Sequence, residues 1–157
     1  MNVGQWLLWG FAATVVLTTL LSGFQGFGVT RLNMPYLLGT ILTPSRDRAK
    51  ALGFVLHFAL GWALAGLYIA IMVAWGGPTL WRGAILGAVH GAFLLLPISM
   101  VLPSMHPRMV SEEHGPTAAR QLEPPGFLGL HYGATTPIAI LLAHIAYGAL
   151  LGAFYRA

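Results

Sequence analysis

Four long stretches of this chain, residues 6–27, 51–75, 83–102 and 134–155, contain no Asp, Glu, Lys or Arg. A helix needs about 20 apolar residues to cross roughly 30 Å of hydrocarbon, so each stretch has the length and character of a membrane span. A water-soluble fold has no way to hide this much apolar surface: 57% of the residues are hydrophobic and 8% charged, against roughly 25% charged in soluble domains. The pattern predicts an all-α, integral membrane four-helix bundle. Four spans use most of the 157 residues, so a single transmembrane domain over residues 1–157 is expected. Residues 6–27 lack the basic leader and short apolar core of a signal peptide, and are expected to stay as a span. There is no cysteine, which removes disulfides, thiolate metal sites and thiol nucleophiles.

The net charge of +4 is a question of location. Residues 28–50 carry Arg31, Arg46, Arg48 and Lys50, and residues 103–133 carry Arg108 and Arg120; the opposite side has only Arg82 and Arg156. The positive-inside rule then makes both longer loops cytoplasmic and puts both termini on the outer side. Trp6, Trp9, Trp75, Trp81 and Tyr155 fall near the outer interface, where aromatic belts form, and Trp62 is the mid-span exception. Basic residues in the first loop face a leaflet that is usually anionic, each worth about 1 kcal/mol of attraction. That is membrane anchoring, and no nucleic-acid partner is expected. Residues 34–42 are apolar but too short to span, and are expected in the interface or dipping between helices. The proline-rich residues 103–133 are expected to be largely irregular.

Small and polar residues recur every fourth position, which stacks them along one helix face. Gly10, Thr14, Thr18, Ser22 and Gly26 form one such stripe, Gly53, His57 and Gly61 a second, Gly83, Gly87 and Gly91 a third, and His144, Gly148 and Gly152 a fourth. Small residues let backbones approach, and hydroxyl and imidazole groups hydrogen-bond across the gap. The stripes are therefore expected to face inward as helix-packing surfaces. Pro97 and Pro137 each remove a backbone donor and are expected to kink or start their helices.

Three of the stretches hold one histidine each, and ionisable groups at membrane depth call for an explanation. At about 1.5 Å per residue, His144 lies near mid-span, His90 roughly 4 Å outward and His57 roughly 9 Å inward. Three explanations stay open. The first is neutral interhelical hydrogen bonding to Thr14, Thr18, Tyr68, Tyr147 or kinked backbone, at about 0.6 kcal/mol per bond. The second is cofactor binding: His90 and His144 as axial ligands of a b-type haem, with Gly87, Gly91 and Gly148 leaving room for the macrocycle and Arg82 for a propionate, or these two with His57 around a transition metal. The third is proton or substrate passage, against which stands the lack of any intramembrane carboxylate. A lipid or quinone between the helices is also compatible with the sequence.

Outside the spans, His106, Glu112, Glu113, His114 and His131 are a possible metal set, although their spacing matches no defined ligand motif. No serine is visibly paired with a base and an orienting acid, so catalytic residues are not assigned. The segments 34–39 (Met-Pro-Tyr-Leu-Leu-Gly), His57-Phe-Ala-Leu-Gly61 with Ala65 and Tyr68, 83–91 ending in His90-Gly91, His106-Pro107, and His144-Ile-Ala-Tyr-Gly148 with Gly152 resemble a group of small bacterial four-span membrane proteins. The resemblance implies a multi-pass fold in the bacterial inner membrane and carries no activity. The expectation is a structural or accessory subunit that packs within a larger membrane assembly or a homo-oligomer. The alternative is a haem- or metal-binding electron-transfer protein using the intramembrane histidines.

Overall fold

The computed structural model describes residues 2–111 and 114–156, with only the backbone of Ile98. The chain is all-helical, and four helices are long and apolar enough to cross a membrane: Val3–Gly26, Arg46–Ala74, Leu80–Pro97 and Thr136–Phe154. In chain order the elements are α1 (Val3–Gly26), α2 (Met34–Leu42), α3 (Arg46–Ala74), α4 (Leu80–Phe93), a π-helical turn (Leu94–Ile98), α5 (Ser99–Met105), a 3-10 segment (Phe127–Tyr132) and α6 (Thr136–Phe154).

The helix limits follow from local chemistry. The Asn2 side chain accepts the Gln5 N–H at 3.1 Å and caps α1. α1 ends with Gly28 at φ +73, the Val29 N–H returning to the Phe24 carbonyl and the Gly28 N–H to Gln25. α3 ends the same way, Gly76 at φ +94 and the Gly77 and Gly76 N–H groups reaching Met72 and Val73. Both are Schellman closures, whose left-handed residue is glycine because a Cβ is unfavourable there. Asn33 accepts the Tyr36 N–H, and Pro35 fills the first turn of α2, where its missing donor is not needed.

α3 begins at Arg46, five residues before the uncharged stretch, with Asp47 in its first turn, so Arg46, Arg48 and Lys50 are helical. Pro137 lies in the first turn of α6, where proline is tolerated. Pro97 instead sits inside the π-helical turn: without its N–H, and with its ring against the preceding turn, the wider ladder absorbs the disruption. Residues 106–111 and 114–126 are largely irregular apart from an isolated bridge between Met109 and Leu122.

The chain divides into two compact units: Met1–Gly23 with Phe58–Ala92 and Ile140–Ala157, and Phe24–His57 with Phe93–Ala139. The first unit packs four helical segments. Ala13, Leu17, Ala65, Ile69, Met72, Ala143, Tyr147 and Leu151 are buried, whereas Leu7, Phe11, Leu67, Ile85 and Val89 are exposed. Large apolar side chains are thus left on the outer surface as well as inside, as on a surface that meets lipid.

In the second unit α2 packs on the start of α3. A Cβ on Gly39 would stand 1.7 Å from the Ala49 carbonyl oxygen, and one on Gly53 1.8 Å from that of Pro35. Thr30 and Thr136 share a buried hydrogen bond of 2.7 Å, and Arg31 pairs with Glu123 at 3.3 Å. The Tyr132 hydroxyl donates to the Glu123 backbone carbonyl; burial, then the Glu123 charge, push its phenol up to about 12.

Candidate functional site

Histidine and tyrosine meet in the first unit because glycine lets two backbones touch. α4 and α6 run antiparallel in close register. A Cβ on Gly83 would lie 1.9 Å from the Gly148 carbonyl oxygen, on Gly87 2.1 Å from that of His144, on Gly152 2.1 Å from that of Thr79, and on Gly91 3.2 Å from Leu141. This register brings the His90 and His144 rings edge to face, with centroids 4.7 Å apart and planes at 73°. Tyr68 of α3 completes the cluster, its ring 6.0 Å from His90 and 5.2 Å from Tyr147.

Each of the four side chains has a polar atom bonded within the protein. The Tyr68 hydroxyl lies 3.0 Å from His90 Nδ1 and 3.2 Å from the Leu86 carbonyl. It has one hydrogen, so the acceptor that takes it sets the His90 tautomer. His144 Nδ1 is 2.8 Å from the Ile140 carbonyl, which can only accept, so the hydrogen is on Nδ1. The Tyr147 hydroxyl donates to the Gly61 carbonyl at 2.6 Å. Tyr147→Phe is expected to lose about 0.6 kcal/mol, the average for such bonds in a membrane bundle, as a small shift in the unfolding midpoint in mixed micelles; a loss above roughly 2 kcal/mol would mean that the hydroxyl organises more than this one contact.

Thr14 and Thr18 donate within their own helix, to the Gly10 and Thr14 carbonyls at 2.7 and 2.8 Å. Thr14 also packs on α3, where a Cβ on Gly61 would stand 2.6 Å from its methyl. His57 is buried on α3 in the second unit.

A haem between His90 and His144 requires space that the facing rings occupy. Metal–nitrogen bonds of about 2 Å on either side of an iron would hold the centroids roughly 6 Å apart, beyond the 4.7 Å found. Gly87 and Gly148, expected to leave room for a macrocycle, are filled by backbone of the facing helix. Arg82 donates to the Gly77 carbonyl at 2.6 Å, and its guanidinium lies 5.0 Å from the Trp81 ring and 5.8 Å from that of Trp75. Among the described residues no three His, Asp or Glu side chains gather to hold a metal.

The histidines outside the spans go to separate partners, and Glu112 and Glu113 lie outside the described residues. His131 Nδ1 bonds the Pro124 carbonyl at 2.9 Å, and the Ser111 hydroxyl accepts the His114 N–H at 3.1 Å. His106 has a structural role that spacing alone did not reveal. Its Nε2–H faces the Leu37 carbonyl at 3.1 Å and the Thr40 hydroxyl at 3.3 Å, and its Nδ1 accepts the Arg108 N–H at 3.2 Å. The Arg108 guanidinium donates to the Thr40 and Ile41 carbonyls. Arg108 thus satisfies two of the orphan carbonyls at the C-terminus of α2, where positive charge is also favoured, and His106 fastens the turn before them.

Burial, with the Arg108 charge adding to it, holds the His106 imidazole below its ordinary value, and the Leu37 hydrogen bond opposes this only in part. A proton would also remove the lone pair that takes the Arg108 N–H. The unfolded chain therefore binds a proton that the folded chain refuses, so stability is expected to be level above about pH 6.5 and to fall as the pH drops from there toward the lowered native value. His106→Gln should flatten that slope in a pH series of unfolding midpoints; an unchanged slope would assign the dependence to another group.

Compared with protein-family models, curated proteins and solved structures, the chain matches none.

Proposed function

We propose that this chain is a multi-pass membrane protein with a structural or accessory role, seated through its helix faces in a homo-oligomer or a larger membrane assembly. The observation that supports it most is the Tyr68, His90, His144 and Tyr147 cluster. Each of the nitrogen and oxygen atoms described above has a partner in its own chain, and the surrounding glycines carry backbone contacts. Groups satisfied in this way specify which helices meet, in what register, and leave the imidazoles as packing groups. The exposed apolar faces of α1, α3 and α4 are the surfaces left for lipid or for neighbouring subunits. On the same reading the membrane is a bacterial inner membrane, with both termini outside and the basic loops in the cytoplasm.

The test is purification in mild detergent from the native membrane, with oxidised and dithionite-reduced visible spectra, metal analysis and native mass on one sample. A colourless, metal-free protein at a mass above the monomer is expected. Sharp reduced bands of low-spin haem in stoichiometric amount would replace this reading with electron transfer, and a strictly monomeric particle would remove the assembly role.

A further inference from the structure

The second unit holds a cavity of about 710 Å³, within the range of sites that take small ligands. Ser99, Met100 and Ser104 of α5, Ser111 of the irregular segment, and Phe127 and His131 of the 3-10 segment are among its walls. The side-chain hydrogens of Ser99, Ser104 and His131 on these walls are already spent, while the Ser111 hydroxyl accepts the His114 N–H. The Ser99 hydroxyl donates to the Leu95 carbonyl and that of Ser104 to Val101. His131 Nδ1, facing the Pro124 carbonyl, carries the ring hydrogen. What they offer a ligand is lone pairs: two hydroxyl oxygens and His131 Nε2. No Asp, Glu, Lys or Arg is among the described lining residues. Met100 and Phe127 add exposed apolar surface, at 68% and 61%.

We propose that this cavity binds the headgroup end of a membrane lipid whose head is uncharged and bears hydroxyls, of the diacylglycerol type. Hydroxyl hydrogens match a wall of acceptors. A phosphate would set acceptors against acceptors, with no cation among the described lining residues to offset its charge. A choline group donates nothing. The chain's course fits the same occupant: α5 follows directly on the span Leu80–Pro97, and the 3-10 segment ends just before the span Thr136–Phe154. The ends of two spans lie at the edge of the hydrocarbon, where lipid headgroups begin. Acyl chains would then run along Met100 and Phe127.

The full chain is reconstituted in phosphatidylcholine nanodiscs containing a diacylglycerol with a diazirine in its acyl chain, and photolabelled positions are mapped by mass spectrometry. Labelling is expected to concentrate on residues 99–104 and 124–131. It should fall about tenfold in Met100→Trp, which fills the cavity from an exposed position, and severalfold in Ser104→Val, which removes one acceptor. Unlabelled diacylglycerol should compete, and phosphatidylethanolamine at the same excess should not. Labelling spread evenly over the apolar helix faces, or equal competition by the phospholipid, would overturn the proposal. Because the site presupposes a chain that spans a bilayer, carbonate extraction is run on the same membranes. A chain released by carbonate fails the membrane reading and this site together, whereas a retained chain without focused labelling fails the site alone.

Discussion

Gly83→Ala is expected to destabilise the protein by about 3 kcal/mol, the upper end of what an overpacked methyl does in a close-packed interior. The new Cβ would sit 1.9 Å from the Gly148 carbonyl oxygen and 3.1 Å from the Gly152 amide nitrogen. Those are backbone atoms of a helix, with no rotamer to move, so α4 and α6 must separate along their length. Separation would also pull His90 from His144, whose rings touch only because the backbones do. The measurement is reversible unfolding in dodecylmaltoside with increasing dodecyl sulfate. Gly23→Ala is the control: nothing lies within 4 Å of a Cβ there, and exchanging a helical glycine for alanine should leave stability unchanged or raise it by up to about 1 kcal/mol. A Gly83→Ala loss no larger than roughly 0.5 kcal/mol would mean that the two helices part easily and that glycine is not what sets their spacing.

The second large effect is expected at Gly53→Ala and is more local. A methyl there would stand 1.8 Å from the Pro35 carbonyl oxygen and 2.8 Å from the Gly39 nitrogen, which drives α2 off the start of α3. α2 has nine residues, too few to be helical alone in water, so it is stable only while it is packed and capped. Gly53→Ala should therefore cost about 2 to 3 kcal/mol and, more distinctively, speed amide exchange across Met34–Leu42 while the α4 and α6 amides keep their protection. Arg108→Ala should produce a weaker version of the same pattern by uncapping the Thr40 and Ile41 carbonyls, at about 1 to 3 kcal/mol for acceptors left without a charged donor. Exchange that rises uniformly over the whole chain in Gly53→Ala would show that α2 is not a separately detachable element.

How much of this was legible beforehand varied by element. The apolar stretches 6–27 and 134–155 lie within three residues of α1 and α6 at every end, because an uncharged run of this length has one stable conformation in hydrocarbon. α3 began earlier than its uncharged stretch because charged residues extend a helix as readily as apolar ones; the Asp47 in its first turn was the available signal. The helical state of residues 34–42 was signalled by Asn33 and Pro35, a cap and a first-turn proline, rather than by hydropathy. Pro97 was expected to kink or start its helix, and which of the two, or the π-helical turn that formed, depends on how far the neighbouring backbone can widen.

The side-chain cluster was harder to read. Tyr68 and Tyr147 were among the partners considered for the histidines, but contact between His90 and His144 follows from the register of α4 against α6, set by four glycines on two helices. The pairing of His106 with Leu37 and of Arg108 with Thr40 joins positions 69 and 68 residues apart, and no local pattern encodes it. Composition and the spacing of charge by themselves determined that this chain is helical and apolar enough to cross a membrane four times, since backbone hydrogen bonds in lipid must be satisfied within each segment. The tertiary structure alone decided which faces met, that the glycines beside the histidines hold backbone instead of a macrocycle, and that a loop arginine caps α2 with a loop histidine fastened beside it. Those outcomes depend on distances between segments far apart in the chain, and such distances exist only once the helices have packed.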